Sequence, residues 1–167
     1  MIKLNKVRLS FPSLFQKASF NGVEGKYEAT FLIPKDSKVV EEIKEGINTI
    51  IKDKKVKIPA DKICLKDGDD IDYDGYEGNY SIKATSNKRV PIFDRDKTIL
   101  TEEDGKIYAG CYVNAVIALW YQDNQYGKRI NANLIGVQFC EHGDCFGTDI
   151  DATSLFEDLE GKENLFD

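Results

Sequence analysis

The sequence predicts a mainly β protein: a small antiparallel barrel with one inserted helix and an acidic C-terminal end. Three observations carry this. Several segments alternate apolar and polar residues with period two. One long segment has helical spacing. Strands and helices do not alternate along the chain, which disfavours doubly wound folds.

The elements follow in order. Lys3 to Phe11 reads as a strand, with Leu4, Val7 and Leu9 among polar neighbours, and Pro12 closes it. Ser13 to Gly25 reads as a loop carrying Phe15 and Phe20 beside the turn formers Asn21, Gly22 and Gly25. In Lys26 to Ile33 the residues Tyr27, Ala29, Phe31 and Ile33 share one face, the signature of a strand that Pro34 ends. Asp36 or Ser37 then caps a helix over about 37–53. Val40, Ile43, Ile47 and Ile50 recur at helical spacing, and acids at the start and lysines at the end suit the helix dipole.

Pro59 to Lys66 is a short extended piece, followed by an acidic loop. Tyr76 to Thr85 is a strand with Tyr80, Ile82 and Ala84 on one face. Ser86 to Pro91 is a basic connection, and Pro91 to Asp104 is irregular. Ile107 to Gln122 is the longest strand. Cys111, Val113, Ala115, Ile117, Leu119 and Tyr121 form its apolar face, and Tyr108, Tyr112, Asn114 and Trp120 the other. Asp123 to Gly127 turns the chain, and Lys128 to Phe139 returns as its partner. Five strands and one helix fit the five-stranded OB barrel, the commonest such architecture.

The 167 residues, 41% hydrophobic and 31% charged, suit one soluble domain with its own core. That domain is expected over residues 1–147, with an acidic, flexible tail over 148–167. No apolar run approaches the ~20 residues of a membrane span, and the first ten residues do not read as a signal peptide. The expectation is an intracellular protein whose four cysteines stay reduced.

The net charge of −6 at first argues against a nucleic-acid partner, which usually presents a basic footprint. The charge is unevenly placed. Residues 141–167 hold nine acids and one base, so residues 1–140 hold 20 acids and 22 bases. Six of those acids (Asp67, Asp69, Asp70, Asp72, Asp74, Glu77) fall within eleven residues. A basic body with an acidic loop and an acidic end is a partner signal rather than a fold signal.

Two metal readings are weighed and set aside. Asp70-x-Asp72-x-Asp74-Gly75 matches the first half of a calcium loop, but Ser81 stands where a bidentate glutamate is needed and no helices flank it. A solvated hairpin fits better, and its carboxylates would repel a phosphate backbone from one rim. Cys140, His142 and Cys145 lie close together, but their spacing is not that of a structural zinc site, and Cys111 falls on an apolar face. No cofactor and no catalytic constellation is expected. A metal-dependent nuclease using the 67–77 carboxylates is the alternative from another class, and a calcium-stabilised structural protein a third. Against the nuclease, two-metal sites draw carboxylates from several elements, and these lie on one loop.

The constellation that fits best combines rings with bases. A single-strand binder needs flat rings for bases and a cationic groove for phosphates. Trp120 and Tyr112 lie on the mixed face of the long strand, Lys128 and Arg129 open its partner, and Lys88 and Arg89 sit in the basic connection.

Six blocks then resemble the phage-encoded single-stranded DNA-binding proteins of the OB-fold class. They are Val7 to Phe15, KYEATFLIPK (26–35), Asp67-Gly68-Asp69, YEGNYSIKA (76–84), YAGCYVNA (108–115) and Leu134 to Gln138, in family order. The resemblance implies an OB barrel, no catalysis, and a sequence-tolerant grip on single-stranded DNA during phage replication or recombination. It implies a place in the bacterial host cytoplasm. It places Arg89 and Pro91 in the basic loop, and aligns Gly127 to Asn131 with a glycine-rich strand start.

The expected site is therefore Trp120, Tyr112 and Phe15 for bases, and Lys88, Arg89, Lys128 and Arg129 for phosphates. Glu157, Asp158, Glu160, Glu163, Phe166 and Asp167 form the expected partner-binding tail, which competes with DNA for the groove. The expected partners are single-stranded DNA, phage polymerase, helicase or recombination proteins through the tail, and a second copy in a homodimer. No membrane is expected.

Overall fold

A computed structural model describes residues 1–146 and 156–160. Its strands are β1 (Ile2–Ser13), β2 (Ser19–Phe20), β3 (Val23–Glu24), β4 (Tyr27–Pro34), β5 (Leu65–Asp67), β6 (Asn79–Ser86), β7 (Ile92–Phe93), β8 (Tyr112–Asn124) and β9 (Gly127–Glu141). The helix α1 (Lys38–Lys54) lies between β4 and β6. β6, β4, β1, β8 and β9 pair in that order, and β6 also pairs with β9, so five strands close on themselves as in an OB barrel. All pairs within the barrel are antiparallel except β6–β9, which is parallel and aligns Ala84 with Ala132 and Thr85 with Asn133.

The alternating faces fall as expected. Ala29, Phe31, Ile33, Ile82, Ala84, Val113, Ala115 and Ile117 are buried inside, with Leu4, Val7 and Leu9 from β1. Val40, Ile43 and Ile47 of α1 join the same core, and the helix packs on β1 and β8. Ser37 is the N-cap residue, in extended conformation, and Lys55 ends the helix in the left-handed region.

Several boundaries move, each for a local reason. β1 runs through Pro12 to Ser13. The long strand begins at Tyr112 rather than Ile107, because Cys111 N–H bonds back to the Tyr108 carbonyl and Gly110 takes a positive φ of 112°. The strand expected from Tyr76 begins at Asn79, because Tyr76 closes a turn through its N–H to Tyr73 and is itself buried. The expected loop over 13–25 contains the β2–β3 hairpin about Asn21 and Gly22. The irregular stretch after Pro91 contributes β7, paired parallel to β9. The acidic loop is not an open hairpin. Its first part is a 3-10 turn (Gly68–Asp70) capped by the Asp67 side chain, which accepts from Asp69 N–H.

The expected domain boundary at 147–148 lies outside the described residues. Among the described residues, no helix is long and apolar enough to cross a membrane.

Phe31 is fully enclosed at the barrel centre, opposite Leu9 on β1 and Ile82 on β6. Phe31→Ala is expected to lower the unfolding free energy by about 3–5 kcal/mol, read as a lower denaturation midpoint in urea with an unchanged slope. A loss below ~1 kcal/mol would contradict this packing.

Candidate nucleic-acid interface

Outward-facing residues of β4, β6, β9 and β8 line one long groove of about 650 Å³. Strand pairing assembles its floor. Trp120 stands opposite Asn131 and Gln122 opposite Arg129, so these four side chains share the outer face of the β8–β9 ribbon. The β6–β9 closure sets Thr85 and Lys83 beside them, β4 adds Glu28 and Thr30, and Lys26 joins them just before β4. Asp61, Lys62, Cys64 and Lys66, just before and within β5, complete one side. Five bases thus line the groove (Lys26, Lys62, Lys66, Lys83, Arg129), against two acids, Glu28 and Asp61. Lys83 pairs with Glu28 at 2.8 Å, and Lys62 stands 3.9 Å from Asp61. Burial pushes the Cys64 thiol up to about 11, so it stays protonated at neutral pH. The Asn131 amide donates to the Gln122 side-chain oxygen at 2.8 Å, which fixes two amides beside the Trp120 ring.

Three large rings reach solvent here: Trp120 (38% exposed), Phe11 (57%) and Tyr73 (59%). Phe11 and Tyr73 meet edge to face with centroids 4.9 Å apart, and Tyr73 leans on Tyr76 at 5.5 Å. Phe11 is aimed outward by its backbone, which holds a left-handed φ of 45° where β1 slips register against β4. A bulge of this kind re-aims a side chain at a site. Tyr76 anchors the loop from below by sharing a hydrogen bond with Ser10 Oγ at 2.8 Å, and burial raises its phenol above the ordinary range.

The structure brings together only part of the expected site. Trp120 and Arg129 both line the groove. Lys128 pairs with Asp123 at the hairpin tip and faces the other side of β9. Tyr112 shares the outer face of β8 with Trp120 but lies eight residues along the strand, covered by Arg8 and Gly143. Arg8 stacks on Tyr112 at 5.6 Å and on Phe146 at 4.2 Å, and donates to the Gly110 and Asp144 carbonyls. Phe15 and Arg89 line a separate hollow with Val90, Ile99 and Leu100. Lys88 is exposed in the turn after β6, its N–H bonded to Ser86 Oγ. Of the expected tail residues, Glu157, Asp158 and Glu160 are exposed, whereas Glu163, Phe166 and Asp167 lie outside the described residues.

Phe11 and Tyr73 escaped the reading of the sequence. Phe11 sits in a strand pattern whose bulge is set by tertiary pairing, and Tyr73 stands among acids. The groove lysines 26, 62, 66 and 83 escaped it too, since each is isolated along the chain. The His142 ring stacks on Tyr108, with Nδ1 3.0 Å from its hydroxyl, while Cys140 is half-buried and Cys145 exposed.

The family described as the single-stranded DNA-binding protein of Enterobacter phage Enc34 matches residues 1–166. The chain belongs to this family. Protein p50 of Acyrthosiphon pisum secondary endosymbiont phage 1 is 42% identical over 176 residues, covering 97% of this chain and 95% of that one. The solved single-stranded DNA-binding protein of bacteriophage Enc34 superposes with a TM-score of 0.78 at 34% identity, over 93% of this chain and 89% of that one. The same Enc34 protein in complex with single-stranded DNA gives 0.77 at 35% identity, over 87% and 88%.

One ion cluster holds the loop that carries Tyr73. Lys35 Nζ lies 2.6 Å from Asp67 Oδ1 and 2.5 Å from Asp69 Oδ2, and Asp69 also accepts from Gly78 N–H at 2.8 Å. Hydrogen bonds from Lys35 and from the loop backbone hold both carboxyls below their ordinary range, and the two carboxylates raise Lys35 above its own. The carboxylate contribution to stability is therefore present above the unfolded Asp value of ~3.9 and is lost as pH falls through the lower folded values. The lysine contribution is full below ~10.4 and fades only as pH rises through its raised value. Lys35→Met is expected to destabilise the protein at pH 7. That deficit should shrink as the pH falls from about 5 to about 2, measured by urea denaturation along a pH series. A deficit independent of pH would refute the linkage.

Proposed function

We propose that this chain binds single-stranded DNA along the β4–β6–β9–β8 groove. Bases stack on Trp120, Tyr73 and Phe11, and Lys26, Lys62, Lys66, Lys83 and Arg129 hold the phosphates. The observation that carries this reading is the groove itself: exposed rings and an excess of cations share one open surface on a protein of net charge −6. Stacking is sequence-tolerant because every base has a flat face. The Enc34 relative solved with single-stranded DNA supports it.

Lys88 and Arg89 follow β6 directly beyond Thr85 and would hold phosphates of a strand long enough to leave the groove at that end. The chain acts as a binding module rather than an enzyme: its one histidine is taken up by Tyr108 and Phe139, and lines none of the groove. Its role is to cover single strands during phage DNA replication or recombination. The acidic residues from Glu157 to Asp167 compete with DNA for the same cations. Once displaced, they recruit partner enzymes.

Trp120→Ala is expected to weaken oligo-dT binding by about 1–3 kcal/mol, measured by fluorescence anisotropy, with the melting temperature retained. Unchanged affinity would remove Trp120 from the site. Arg129→Ala should lower the slope of log K against log salt by about 0.7, the value for one phosphate contact on single-stranded DNA. Removing residues 149–167 should tighten binding most at low salt, and equal or weaker binding by the shortened chain would refute the competition.

A further inference from the structure

The Phe11–Tyr73 pair is a ridge between two unlike surfaces. On one side lies the groove with its five bases. On the other lies a hollow of about 290 Å³ that shares Phe11 and Tyr73 with the groove and is otherwise lined by Ser10, Asp72, Asp74, Ala109 and Phe146. The ridge is held from both ends. Tyr76 and its bond to Ser10 support Tyr73, and the Phe146 ring packs so closely on Gly75 that it leaves no room for a side chain there. Lys35 engages Asp67 and Asp69, but among the described residues no base pairs with Asp70 or Asp72, and both are exposed. The rings therefore have cations on one flank and, on the other, Asp72, an exposed carboxylate with no base paired to it among the described residues.

We infer that Asp72 makes this groove selective for a single strand over a duplex. The inference rests on the proposed binding of single-stranded DNA. A single strand has one phosphate backbone. It can lay that backbone on the lysine flank and turn its bases toward the ridge, so no phosphate approaches Asp72. A duplex has two backbones and a negative charge every ~1.7 Å of axis. With one backbone on the lysines, the bulk of the other strand extends over the ridge toward Asp72. Like charges repel there over distances within a Debye length, ~10 Å at 0.1 M salt. The carboxylate thus acts on the duplex and spares the single strand. The selectivity lies in a repulsive element, not in an added contact.

The test compares oligo-dT and a duplex of equal length on the full chain at two salt concentrations. Asp72→Asn, and Asp70→Asn with Asp72→Asn, are exposed substitutions whose folding is checked by melting temperature. Duplex affinity is expected to rise about fivefold or more at low salt, while oligo-dT affinity changes by less than about twofold. Asp72→Lys should enlarge the duplex gain further. High salt should erase it. An equal gain for both DNAs would mean a general charge effect and would overturn the inference, as would unchanged duplex binding by all three variants. Failure of the unaltered chain to bind oligo-dT would overturn the proposed function itself and this inference with it.

Discussion

The parallel pairing of β6 with β9 is the constraint on which the rest depends. Without it the chain is an open sheet with β6 and β9 distant from one another. With it, Ala84 stands against Ala132, and the small side chains let the two strands meet over a filled core. Ile63 extends the seam by bridging to Ile130, and Cys64 N–H bonds to the Ile130 carbonyl at 2.9 Å. Closure buries the inner faces of five strands together. It also turns Lys83 and Thr85 of β6 onto the same outer surface as Arg129 and Asn131 of β9. The barrel seam is thus the floor of the groove, and stability and groove come from one contact.

The electrostatics are organised around that surface rather than around the average charge. Acids dominate the sequence, yet those nearest the rings are sorted. Asp67 and Asp69 are consumed in holding Lys35, which fixes the loop that carries Tyr73. Asp70 and Asp72 lie past that point on the same loop, and Asp72 lines the hollow beyond the ridge from the lysine flank. A single acidic segment therefore does two jobs. Its first half is structural, and its second half shapes the field beside the ridge.

Period-two alternation identified the inner face of β4, β6 and β8, and most of those residues are the core, while Tyr27, Tyr80 and Leu119 are only half-buried against it and Tyr121 lies outside it beneath Lys54. It also put Trp120 on the outer face of β8 and, through the hairpin, Arg129 near it. Both deductions need only local geometry. Tyr112 obeys the same parity, yet it is covered, because the segment after β9 folds back and Arg8 is clamped between Tyr112 and Phe146. Lys128 was grouped with Arg129 because the two are adjacent, and strand alternation separates them. Phe11 and Tyr73 were illegible for a different reason. The first depends on a left-handed bulge in β1, and the second on a turn pinned by Lys35, which follows β4.

By itself the sequence determined the five barrel strands, the helix, most of the buried faces and the split between a basic body and an acidic end. These follow from side-chain period and from charge, which are properties of neighbouring residues. Only the tertiary structure decided which bases gather into a groove. Lys26, Lys62, Lys66, Lys83 and Arg129 span more than a hundred positions, and closure of the barrel is what brings them to one surface. It also decided that Phe11 faces water and that Tyr73 stands beside it. Both placements result from contacts between segments distant in sequence, to which no local pattern is sensitive.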